Sequence, residues 1–153
     1  MNRGLLLGAI QVALVLAVTG QFLYDRASLP RAWARTLPYD PSMPIRGRYV
    51  SLTLQVDADC DNAYGQRWEL FAQDGRLKAR RSASGKHVLW GQNSLCRLSS
   101  PVPFFIPPQI PDPSRRPPGE ELWVEVSVPK SGPPRPIRLA VKKDGRLEPL
   151  EIR

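Results

Sequence analysis

Tyr49-Val50-Ser51-Leu52-Thr53-Leu54-Gln55-Val56 alternates polar and apolar side chains without a break. Val50, Leu52, Leu54 and Val56 share one face, while Tyr49, Ser51, Thr53 and Gln55 take the other. A period of two is the mark of a half-buried strand. Leu122-Trp123-Val124-Glu125-Val126-Ser127-Val128 alternates as cleanly, and Ile137, Leu139 and Val141 repeat the pattern. Asp74-Gly75 and Asp144-Gly145 each sit between strand-like runs, a strong hairpin signal because both residue types tolerate the positive φ of a tight turn. The expected hairpins pair Arg67 to Ala72 with Leu77 to Ala79, and Ile137 to Lys142 with Leu147 to Ile152. No useful helical periodicity follows residue 36. The fold expected is therefore mainly β: a small antiparallel domain, a sandwich or partial barrel.

Upstream the chain changes character. Gly4 to Tyr24 carries no charge, and as a helix rising about 1.5 Å per residue it reaches about 30 Å, enough to cross a bilayer. Two accounts fit. A cleaved signal needs small residues at a processing site, which Val18-Thr19-Gly20 offers. An uncleaved anchor is favoured by the apolar run continuing through Phe22, Leu23 and Tyr24, where Tyr24 would meet the interface. The expected organisation is a transmembrane anchor over 4–24, a proline-containing juxtamembrane linker over 25–45, and an exported β domain over 46–153. Within the linker, Ser28 to Thr36 is expected to form a short interfacial helix, capped by Ser28 with Pro30 in its first turn. Leu37 to Ile45 holds Pro38, Pro41 and Pro44, which oppose regular structure.

The chain has 153 residues and a formal net charge of +8. Its basic residues are scattered rather than gathered on one helix, so nucleic acid is not the expected partner. Arg26, Arg31 and Arg35, beside the anchor, suit anionic lipid headgroups, although they run against the positive-inside tendency. A solvated basic surface is the plainer account of the rest. Seventeen prolines, many between residues 101 and 118, favour edges and extended loops. Cys60 and Cys96 lack the spacing of a redox pair. A bridge between them would contribute about 3–4 kcal/mol in the loop-entropy account and suits an oxidising compartment; two free thiols are the alternative. The bulk of the chain is thus expected outside the cytoplasm, in the periplasm of a bacterium with the helix in the inner membrane.

Candidate chemistry is sparse. His87 is the only histidine, and no metal site or cofactor is expected. Asp57, Asp59 and Asp61 alternate as part of a calcium loop would, but without its glycine and distal glutamate; a polar turn is the commoner meaning. One enzyme class has a partial match. Ser42-Met43, followed by Lys78 on a later strand-like run, resembles the Ser-Lys arrangement of membrane-anchored signal peptidases, in which a desolvated lysine serves as base toward the serine. The serine two places before Ser42 and the C-terminal box of that class are absent.

Leu37 to Leu54 resembles the defining segment of the GDYXXLXY family, whose members carry a membrane helix, an Asp-Pro step and an Arg-Gly-Asp-Tyr-x-x-Leu-x-Tyr strand opening. Asp40 and Pro41 match the step, and Arg46, Gly47, Tyr49 and Leu52 match the motif. Arg48 stands where the family has aspartate, and Leu54 where it has the final tyrosine. Phe104-Phe105-Ile106-Pro107 followed by Gly119 to Val126 resembles the family's second half. The resemblance implies no reaction. It implies an accessory or binding subunit, because members are often encoded beside a multispanning membrane protein. Arg46, Gly47, Arg48 and Tyr49 are then the expected partner contact, with Phe104, Phe105 and Ile106 as a second candidate or as a plug for the sheet.

Overall fold

A largely apolar helix runs almost directly into a ten-stranded sheet. The computed structural model describes residues 3–39, 49–61, 65–91, 96–107 and 109–151. Helix α1 spans Arg3–Ser28, and its stretch Gly4–Asp25 is long and apolar enough to cross a membrane. It stops before Pro30 because a residue preceding proline is driven out of the helical region. The last turn closes on itself, with Leu29 N–H donating to the Asp25 carbonyl at 3.0 Å and Ser28 Oγ to that of Tyr24 at 2.7 Å.

The strands are β1 (Arg31–Tyr39), β2 (Tyr49–Val56), β3 (Trp68–Gln73), β4 (Arg76–Arg81), β5 (Leu89–Trp90), β6 (Cys96–Leu98), β7 (Val102–Phe105), β8 (Glu121–Ser127), β9 (Arg135–Lys143) and β10 (Arg146–Pro149). The main path runs β10-β9-β8-β1-β2-β6-β5, with β3 joined through β4 to β1, and β7 on β2. Nearly every ladder is antiparallel; β4 meets β1 in parallel at Trp33 and Arg76.

The helix expected over 28–36 does not form, and the sheet starts well before residue 46. Ala32, Ala34 and Thr36 are buried while Trp33 and Arg35 face outward, so β1 carries a two-residue period. Its partners lie far along the chain: Arg31 to Arg35 pair with Ser127 to Trp123, then Thr36 to Tyr39 with Leu54 to Ser51. Pairing along both edges outweighs the helix preference of two alanines. Only part of 25–45 is therefore linker.

Both Asp-Gly turns form as expected. Asp74 (φ 54°) and Gly75 (φ 70°) join β3 to β4, and Asp144 with Gly145 joins β9 to β10. In β9 a bulge falls between the pairs Glu125–Arg138 and Val126–Pro136, so Ile137 is the extra residue and leaves the expected alternation.

Isolated bridges from Asp57 to Lys78 and from Trp68 to His87 complete a circuit β3–β4–β2–β6–β5–β3. The partial-barrel character comes from this ring. Leu54, Val56, Trp68, Leu77, Leu89 and Leu98 fill it, and Cys60 is bonded to Cys96 across it with Cα atoms 5.8 Å apart. Gly85 lies against the Trp68 backbone, where a Cβ would come within 2.6 Å of the carbonyl carbon.

Candidate functional site

Two residues, Leu29 and Pro30, separate the helix from a central strand, so the domain is not hung on a loose tether. The Pro30 carbonyl accepts from Val128 N–H at 2.9 Å, and Trp33 N–H donates to Gly75 at 2.8 Å. Asp25, at the end of the apolar span, pairs with Arg135 of β9 at 3.5 Å. Beside this joint is a cavity of about 850 Å³. One wall is Tyr24, Asp25 and the Leu29-Pro30 connector, another is β3 from Glu69 to Ala72, and two loops close it, Ser84 to His87 and Val128 to Gly132. Lys86 Nζ donates to Ser131 Oγ at 2.8 Å, which ties the two loops together. Burial lowers the pKa of His87 below its ordinary 6.5; its backbone pairs with Trp68 in both directions.

The outer face of β4, β1, β8 and β9 is built differently. The Arg76 guanidinium lies 4.8 Å and Lys142 Nζ 5.3 Å from the Trp123 ring centroid, and Arg138 lies 5.4 Å from Trp33. Arg138 also donates to Glu125 at 2.6 Å, and Arg35 pairs with Glu121 at 3.2 Å. Cation stems cover this face, which is why Trp123, Glu125 and Ser127 are buried along with Leu122, Val124 and Val126. The expected in–out alternation of β8 is thus buried on both sides.

Of the residues that carry the family resemblance or the expected partner contact, Asp40, Pro41, Arg46, Gly47 and Arg48 lie outside the described residues, as does Ser42. Tyr49 opens β2 opposite Phe105. Leu52 is fully buried in the core, which makes it a packing residue rather than a contact. The Phe pair divides its roles: Phe104 packs on the core and Ile106 is buried, whereas Phe105 is 68% exposed. Lys78 bonds Asp74 at 3.1 Å beside the hairpin turn. Asp59 accepts from Asp61 N–H at 3.3 Å as a polar turn does, and no cluster suited to a metal occurs among the described residues.

The helix adds a feature that the apolar run conceals. At 100° per residue, Gly4, Gly8, Gln11, Val15 and Thr19 fall within an arc of about 80°. None of the described residues covers the span. Neither this face nor the cavity residues Lys86, Lys130 and Arg135 stand out in the sequence; the former shows only on a helical projection, and the latter come from separate loops. Compared with protein-family models, curated proteins and solved structures, the chain finds no match.

Proposed function

We propose that this chain is an accessory subunit of a multispanning membrane protein, with α1 an uncleaved anchor in a bacterial inner membrane and the β domain in the periplasm. The carrying observation is Gln11. Its amide sits about 10 Å into the span, on a face shared with Gly4, Gly8 and Thr19, with no partner among the described residues of this chain. A polar side chain in hydrocarbon is costly and usually faces another helix, and small residues let helices approach closely. Three further features support the assignment. The two-residue joint holds the sheet at the membrane surface, the Cys60–Cys96 bridge suits an oxidising compartment, and the resemblance to the GDYXXLXY family implies such a subunit. Tyr49 and exposed Phe105, paired at the β2–β7 edge, are the domain's contribution to the contact.

Mild-detergent purification from the native membrane, with mass spectrometry of what accompanies the protein, tests this. A multispanning protein is expected with wild type, reduced by Gln11→Leu and lost when Arg48→Ala and Tyr49→Ala are combined. Wild type emerging alone, or only as a self-associated species, overturns the proposal.

A further inference from the structure

The cavity at the helix–sheet joint has a charge pattern that the accessory role does not use. Its carboxylates are already engaged: Asp25 with Arg135 at 3.5 Å and Glu69 with Arg80 at 3.0 Å. Lys86 and Lys130 have no acidic partner among the described residues, and Lys86 is held in place by Ser131 at 2.8 Å. The apolar part of the lining is Leu29, Pro30, Phe71 and Val128. Position completes the pattern. Tyr24 and Asp25 end the apolar stretch, so with α1 across a bilayer the cavity would open at headgroup depth.

We propose that this cavity binds the headgroup of an anionic phospholipid, with Lys86 and Lys130 meeting the phosphate and the Leu29–Phe71–Val128 wall taking the glycerol end. This rests on α1 crossing the bilayer and not on the partner proposed above. A volume of about 850 Å³ is within the range of small-molecule sites, and paired basic groups beside a membrane helix are suited to anionic headgroups. The uncommitted lysines supply attraction without first breaking an ion pair. The apolar wall favours a lipid over free phosphate, which would leave that surface wet.

The test uses the full chain in phosphatidylcholine nanodiscs, with phosphatidylglycerol titrated in and thermal unfolding followed. Anionic lipid is expected to raise the melting temperature saturably. Lys86→Gln combined with Lys130→Gln should weaken the apparent affinity roughly 30-fold, read as the lipid-dependent rise above each protein's own melting temperature in pure phosphatidylcholine, which absorbs the loss of the Lys86–Ser131 bond. Lys143→Gln combined with Arg146→Gln, at the β9–β10 hairpin, removes the same charge and should leave the affinity intact. Equal loss in both double variants overturns the site in favour of diffuse surface attraction. Inorganic phosphate added to phosphatidylcholine discs and reproducing the full effect overturns the lipid assignment in favour of a soluble anion. No saturable shift with wild type overturns both.

Discussion

Around β2, β5 and β6 the interior is a closed ring, filled by Leu54, Val56, Trp68, Leu89 and Leu98 and crosslinked by Cys60–Cys96, whereas β1, β8 and β9 have no crosslink, and β8 between the other two is buried on both faces. Two of the ring strands are short: β5 has two residues and β6 three. So few backbone pairs give little ladder stability, and a covalent tie replaces it. Strands β1, β8 and β9, of nine, seven and nine residues, need none. Their outer face is shielded instead by Arg76, Arg138 and Lys142 lying over Trp123 and Trp33. The two shortest strands lie beside the bridge, and β1 and β8 lie beneath cation–aromatic cover.

That contrast can be broken by experiment. The largest effect is expected from replacing both Cys60 and Cys96 by alanine: a loss of about 4 kcal/mol from loop closure, measured by denaturant unfolding. Amide exchange should rise at Leu89 and Leu98 well before Val124 and Leu139; uniform loss would mean that the two regions are one cooperative unit. Gly85→Ala comes next. The added Cβ would meet Trp68 backbone, which cannot rotate away, so about 2–3 kcal/mol of overpacking cost is expected in thermal melts. On the other region, Arg138→Ala strips the cation from Glu125, itself only 7% exposed. A cost of about 1–2 kcal/mol is expected, recovered in part by Glu125→Gln; no change would show that the cover is ornamental. Arg80→Ala breaks an exposed pair with Glu69 and should cost under about 0.5 kcal/mol.

A pH dependence sharpens the same comparison, since His87 belongs to the ring. Its folded pKa lies below 6.5 because burial disfavours the charged ring. The unfolded chain therefore takes up a proton first as pH falls. Stability should be full above 6.5 and decline as pH drops through that value toward the lower folded one. His87→Asn should flatten the profile between those limits, as followed by melts across pH.

Much of the ring was legible along the chain. Alternation from Tyr49 to Val56 specified a strand and its buried face, and Asp74-Gly75 specified a hairpin because both residues accept positive φ. The β1 segment was not. Alanine, tryptophan and arginine between 31 and 35 are compatible with helix or strand, and the choice was made by β8, far along the chain, where the Thr36 hydroxyl finds the Leu122 carbonyl at 3.1 Å. The Phe104–Phe105 pair was equally ambiguous until pairing with β2 sent one ring to the core and the other to solvent.

By itself the sequence determined the apolar span, the strand period and the turns, because each depends on neighbours a few residues apart. Tertiary structure alone decided the ring closure, the burial of Trp123 beneath two cations, and the cavity where Lys86 meets Ser131. Those features join residues whose separation carries no local signal, and they exist only once the backbone hydrogen bonds of distant strands have been satisfied against one another.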